Sequence, residues 1–457
     1  MRKTLFIISD LHLGGAEGFE MCPEEGRARL VRFIDWVATQ KQDCAEVCLI
    51  LNGDIVDFLA EEDETGFAAF VVDEKRAQRK LAHIMDTCED VFAALRRFVA
   101  SGNRLTLLIG NHDLELSLPA VRRHFLGLLG DGRIEYVYDN EAFTVGPVLI
   151  EHGNRYDSWN MVNHNELRQI RSQLSRGEQP FAFSAQPGSE LVARVMNPVK
   201  KRFSFVDLLK PETGGVVPIL SVLDPGLWKE VATVVRESVA AWNRGRFKGD
   251  GVPERRDYVG ATKAEERPAA SQVPLLPETM SVPLDKADKA AAEALQFGGR
   301  ADYVRGIAVA LLLKQFRAWR HSADVTFNVE HEDERYLKPA RECVKRFRVV
   351  VFGHTHLAKR IHLENGALYL NTGTWADVMR IPEAVYDSDE AAGMQALRRF
   401  LDDVEKNNVT DFRRQIATFA RIEMDNNDQV LSADVFFFDD DGSTASISSA
   451  GMRERLA

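Results

Sequence analysis

Cysteine is scarce in this chain of 457 residues: only Cys22, Cys44, Cys48, Cys88 and Cys343 are present. Their number is odd and none forms a C-x-x-C pair, which argues against a disulfide framework and a thiolate metal site. A reducing compartment is implied, with the cytoplasm as the expected location. Also lacking is any run approaching the roughly 20 apolar residues needed to span a bilayer. Arg2 and Lys3 precede an apolar stretch that ends at Ile8, too short for the core of a signal peptide, and it reads as a first strand. A surplus of positive charge is missing too. The net charge of -11 weakens the case for a general nucleic-acid binder, whose affinity for phosphate backbones comes largely from clustered Lys and Arg, and leaves a local basic groove open. No internal repeat and no Ser or Cys nucleophile motif is found.

What is present is an ordinary globular composition, 45% hydrophobic and 28% charged, on a chain longer than one compact core usually supports. Five apolar runs of strand length stop at polar clusters: "TLFIISDLH", "VCLILNGDIVD", "LTLLIGNHD", "VLIEHGN" and "RVVVFGHTH". Continuous apolar strands suit a sheet covered on both faces, and ligands gather where such strands emerge at their carboxyl ends. Helical patterns lie between them. Leu30, Ile34 and Val37 share one face, Val91, Leu95 and Phe98 another, and the second helix is expected to stop near Gly102. The alternation predicts an α/β layer fold.

The pattern breaks after Asn160 and resumes with "VVVFGHTH", so residues 160–338 read as an inserted, mainly helical cap between core segments 1–159 and 339–457. Helices are expected over Asn160 to Arg176, Gly226 to Arg244 and Ala287 to Arg320, and a mobile, Pro-rich loop near 249–285. From Asn160 to Lys210 eight basic residues face four acidic ones, a modest positive patch whose plain alternative is a solvated helix face. Phe203, Phe205, Val206, Leu208 and Leu209, beside Lys200, Lys201 and Arg202, could receive an acyl chain, touch an anionic membrane surface, or pack the insert's own core. "ALYLNTGTW", "TFARIEMD" and "LSADVFFFD" read as strands finishing a second sheet.

The polar clusters carry the chemistry. Asp10 and His12 are spaced i, i+2, which on an extended backbone points both the same way, and His354 and His356 repeat that spacing. Asp54, Asn111 and His112 stand behind glycines that let backbone approach a metal or phosphate closely, and "EHGN" adds His152. This oxygen and imidazole set without sulfur favours Mn, Fe or Zn. With His112 set apart, the seven candidate ligands exceed the need of one ion and fit two ions sharing a carboxylate.

In these motifs the chain resembles the calcineurin-like metallophosphoesterase superfamily, whose D-x-H, G-D-x-x-D, G-N-H-[DE], H and G-H-x-H elements occur here in that order. The resemblance implies an αββα sandwich and two divalent ions, with Mn expected first and Fe or Zn as alternatives. It implies that Asp10, His12, Asp54 and His356 hold one ion, and that Asp54, Asn111, His152 and His354 hold the other. Asp54 would bridge them, His112 would act as general acid and Asp57 would orient it. Two such cations lower the pKa of a shared water and neutralise phosphoryl oxygens, so no protein nucleophile is required. Arg155, in "HGNRYD", offers a forked donor to a phosphate, or else a surface ion pair. Asp113 reads as a cap or as support for its neighbours.

"SDLHL" and "NTGTW" are similar to the bacterial branch that includes UDP-2,3-diacylglucosamine diphosphatases. Those enzymes usually carry Arg where this chain has His112, so the broader expectation is a phosphodiesterase or pyrophosphate-cleaving enzyme. Its partner would be a phosphorylated small molecule or a lipid-linked substrate, with peripheral membrane contact open. A phosphomonoesterase or protein phosphatase is an alternative, although "GDIVDFLA" lacks the longer G-D-x-V-D-R-G form. A metal-site scaffold without turnover is a third, and a retained general acid speaks against it.

Overall fold

In the computed structural model, residues 3–15, 18–42, 46–139, 141–210, 212–224, 226 and 301–456 are described. The expected loop near 249–285 and, past Gly226 itself, the expected helix from Gly226 to Arg244 fall on residues outside that set. The chain divides into two units: one comprises residues 1–198, 327–377 and 414–456, the other residues 199–326 and 378–413.

The first unit is built on two sheets. All five apolar runs form strands: β1 (Lys3–Ile8), β2 (Glu46–Asn52) and β3 (Arg104–Leu108) in one sheet, with β4 (Arg133–Val137) beside β3. After β5 (Phe143–Val145), β6 (Val148–Ile150) and β7 (Val349–Phe352) lie in the other sheet, followed by β8 (Ala358–His362) and β9 (Leu368–Thr372). β1 to β4 run parallel, as do β6, β7 and β9, so the chemistry-bearing ends of each set emerge on one side.

Side-chain alternation explains the layering. Phe6, Ile8, Leu49, Leu51, Leu105 and Leu107 share one core with the helices α1 (Glu24–Thr39), α2 (Glu74–Thr87), α3 (Glu89–Ala100) and α4 (Pro119–Leu129). Their neighbours Leu5, Ile7, Cys48 and Ile50 point the other way and are buried just as fully. On the second sheet Leu149, Val350, Phe352 and Tyr369 pack with Tyr336, Leu337 and Ala340 of the helix Glu334–Cys343. Hydrogen bonds tie sheet to sheet: Asn52 Nδ2 donates to Glu151 O at 2.9 Å and Thr418 Oγ1 to Thr372 O at 2.6 Å. The result is an αββα sandwich.

α1 buries Leu30, Ile34 and Val37, and α3 buries Val91, Leu95 and Phe98 and ends at Ala100, as the periodicity predicts. Two expectations change. The strands Thr418–Met424 and Val430–Phe438 join the first sheet, not the second, because Thr418–Met424 pairs antiparallel with β1. Phe419 there packs on Phe6, Phe33 and Trp36, an aromatic cluster that the sequence pattern alone does not assign to either sheet.

The insert also divides differently from the 160–338 reading. Leu167 and Ile170 of α5 (His164–Ser175) join the first unit's core, and Asn197 Nδ2 donates to Leu59 O at 2.6 Å. Residues 378–413, read as core, belong to the second unit. The described part of that unit is mainly helical, with Glu212–Leu223, Ala301–Thr326 and Glu390–Glu405. Of the readings left open for Phe203, Phe205, Val206, Leu208 and Leu209, the structure has them as packing: all five are buried. Lys200 pairs with Asp207 and Arg202 with Asp224. Among the described residues no helix is long and apolar enough to cross a membrane.

Candidate metal centre

Each candidate side chain sits just past a strand end, and the loops are stitched to one another. Asp10 N donates to Gly53 O, His12 N to Asp54 O, Gly353 N to His152 O and His354 N to Asp10 Oδ2, at 2.9–3.1 Å. Such close approach explains two glycines. A Cβ at Gly110 would stand 2.1 Å from Asp54 Oδ1, and one at Gly353 would stand 2.4 Å from Ser9 Oγ.

The backbone departs from the extended form expected for Asp10 and His12. Asp10, His12, Asp54, His354 and His356 all take positive φ, between 45° and 69°, a left-handed conformation that L side chains rarely adopt. The chain holds that strain where it aims these five side chains, as functional sites commonly do. They are brought together by turns after the strands, not by strand alternation.

Three groups of side chains each offer atoms within 4.8 Å of one another: Asp10, His12 and His356; Asp54, His152 and His354; and His12, Asp57 and His112. Asp54 connects the first two, since its Oδ2 lies 3.2 Å from His152 Nε2 and 3.9 Å from His12 Nε2. His356 Nε2 stands 2.9 Å from His12 Nε2 and 3.5 Å from Asp10 Oδ1. In the third group Asp57 is an acceptor: its Oδ2 takes His12 Nδ1 at 3.2 Å and its Oδ1 takes His112 Nδ1 at 3.1 Å, with Leu59 N and Ala60 N also donating.

These residues fit divalent cations. Buried carboxylates and imidazoles converge without sulfur, the donor set that Mn, Fe or Zn takes. Among the described residues Asp10 Oδ1 and Asn111 Oδ1 are buried without a hydrogen-bond partner, a cost that a cation would offset. Ring nitrogens turned away from the centre are held: His12 by Asp57, and His152 by Asn52 O, to which its Nδ1 lies at 2.8 Å. Such outer partners fix the tautomer of metal-binding histidines.

The electrostatics follow from burial and crowding. Burial pulls the His112 imidazole down, but Asp57 and Asp54 outweigh it and push its pKa up to about 10. For Asp57, burial alone would raise the carboxyl, yet His112 and His12 hold it well below the usual carboxylate range. Asp10 moves up because burial dominates. Asp113 accepts from Gly110 N at 2.6 Å and Ile55 N at 2.7 Å, tying the loops after β2 and β3 together, and burial next to Asp54 pushes it up to about 7.

Arg155 lies beside its own strand end, with Nε 3.2 Å from Glu151 Oε2. Two residues with clear contacts were not singled out by sequence reasoning. Ser9 Oγ donates to Asp10 Oδ2 and meets Thr372 Oγ1 at 2.6 Å. Asp157 Oδ2 lies 3.2 Å from His354 Nε2. The only signal for Asp157 was an acid five residues after His152 in "HGNRYD".

No curated protein matches the chain at a significant level. The family model described as calcineurin-like phosphoesterase matches residues 3–199, which include Asp10, His12, Asp54, Asn111, His112 and His152. His354 and His356 lie beyond the matched segment and join the same groups in space. A divalent-metal-dependent hydrolysis of phosphoric esters goes with that family. Over residues 3–199, a little less than half of its length, the chain is similar to the calcineurin-like phosphoesterase family, and its sandwich of sheets agrees with that likeness.

Proposed function

We propose that the chain is a two-metal phosphodiesterase or pyrophosphate-cleaving hydrolase acting on a phosphorylated small molecule or a lipid-linked substrate. The observation that carries this reading is the position of Asp54 Oδ2, in reach of His152 on one side and His12 on the other. One carboxylate shared by two imidazole and carboxylate groups suits two ions. Asp10, His12, Asp54 and His356 would hold one, and Asp54, Asn111, His152 and His354 the other, with Mn the first choice. Such ions supply an activated water and neutralise the phosphoryl oxygens.

The chain's own residues supply the rest. Asp57 holds His112 through Nδ1, which leaves Nε2 to hand a proton to the departing oxygen. His112 N also donates to Asp54 Oδ1 at 2.8 Å, fixing the distance between acid and shared carboxylate. Arg155, oriented by Glu151, would donate to a phosphate oxygen. With Phe203, Phe205, Val206, Leu208 and Leu209 buried, the substrate reading rests on the metal groups and not on that apolar run.

The test is turnover of bis(p-nitrophenyl) phosphate, p-nitrophenyl phosphate and a UDP-sugar diphosphate, with and without added Mn. Metal-dependent cleavage of the diester or the diphosphate above the monoester is expected. Preference for the monoester would favour a phosphomonoesterase, and no turnover with metal bound would favour a scaffold.

A further inference from the structure

The histidines of the centre do not all face it with the same nitrogen. His12, His152 and His356 bring Nε2 toward the shared carboxylates, at 3.9 Å and 3.2 Å from Asp54 Oδ2 for the first two and 3.5 Å from Asp10 Oδ1 for the third. His354 is turned over. Its Nε2 meets Asp157 Oδ2 at 3.2 Å, so the nitrogen left for Asp54 and His152 is Nδ1.

Asp157 is itself held. Trp159 N donates to its Oδ1 at 3.0 Å and Asn160 Nδ2 to its Oδ2 at 2.9 Å. Asn160 O in turn accepts from Asn154 Nδ2 at 3.0 Å, closing a small turn that begins just after His152. The Asp157 side chain is 15% exposed and the His354 side chain 8%, and the Tyr336 ring stands 6.4 Å from the His354 ring. A carboxylate can only accept, so the facing imidazole nitrogen must carry its hydrogen. That leaves the opposite nitrogen with the lone pair a metal needs.

We propose that Asp157 is a positioning residue that fixes His354 as the Nε2–H tautomer and presents Nδ1 to the second ion. One segment, His152 to Asp157, then supplies both a ligand and the group that sets the tautomer of another ligand. The effect on metal binding rests on the two-ion reading, whereas the tautomer itself does not.

The two can be tested apart. In metal-stripped, 15N-histidine-labelled protein, with His354 assigned by loss of its signals in His354→Gln, long-range 1H–15N spectra should show Nε2 protonated and Nδ1 bare. Asp157→Asn keeps an oxygen acceptor and should retain that tautomer, while Asp157→Ala should lose it. Calorimetric titration with Mn should show one of two sites weakened about 10–100-fold in Asp157→Ala, with the other unchanged. A His354 protonated at Nδ1 in the stripped wild type would overturn the proposal, as would wild-type affinity at both sites in Asp157→Ala. A wild type that binds a single ion would defeat the two-ion reading, and the spectra would still decide the role of Asp157. If Asp157→Ala does not fold, Asp157→Asn and the wild-type spectra carry the test.

Discussion

His12 Nε2 and His356 Nε2 lie 2.9 Å apart, joining the loop after β1 to the loop after β7. Two bare lone pairs at that distance repel, so the pair requires a shared proton or a cation between them. Asp10, with an oxygen 3.5 Å from His356 Nε2, favours positive charge at that point. Residues far apart in sequence thereby become one electrostatic unit, and the two sheets are linked through the site as well as through their packing.

His112→Asn should retain the metals but lose roughly 10²–10⁴-fold in kcat, the usual contribution of a general acid. The loss should shrink for nitrophenyl esters, whose leaving oxygen needs little protonation. Equal losses on alkyl and nitrophenyl esters would remove His112 from that role.

Gly110→Ala should damage the site without altering any ligand. The added methyl falls 2.1 Å from Asp54 Oδ1 and 2.7 Å from Asp54 N, atoms of a buried and hydrogen-bonded residue that has little room to retreat. Overpacking of this kind costs about 1–3 kcal/mol. Urea unfolding should show the loss and metal analysis a lowered content. A variant with wild-type stability and metal content would mean that the loop yields freely.

Much of this is legible in the sequence. Strands that run apolar and then stop at Asp, Asn or His announce a sheet edge with chemistry, and β1, β2, β3, β6 and β7 do so. What local pattern could not give was partnership. The strands Thr418–Met424 and Val430–Phe438 look alike in either sheet, and only the packing of Phe419 on Phe6 and Trp36 decides. The positive φ values at Asp10 and His12 were invisible because left-handed backbone at a non-glycine residue is imposed by surrounding contacts. Asp157 stayed hidden for a related reason: its partner His354 is 197 residues away.

Stability should depend on pH through Glu115, a buried side chain that accepts from Val71 N at 2.8 Å. Burial pushes its pKa up from 4.5 to about 7, with Asp57 adding to the rise and Lys80 opposing it. The folded state thus keeps its proton where the unfolded chain has released it. Between about pH 4.5 and 7 folding binds more protons than unfolding, so this contribution is present at low pH and is lost as pH rises through 7. Glu115→Gln keeps the acceptor and removes the charge. Its stability relative to wild type should rise by roughly 2–4 kcal/mol from pH 4 to pH 8 in urea unfolding. A constant difference across that range would contradict the assignment.

The most direct measurement is the metal content of purified wild type beside Asp54→Ala. A carboxylate shared between two ions predicts two ions per wild-type chain and loss of both in the variant, with activity abolished. Two ions still bound per chain in a folded Asp54→Ala protein would contradict the shared site.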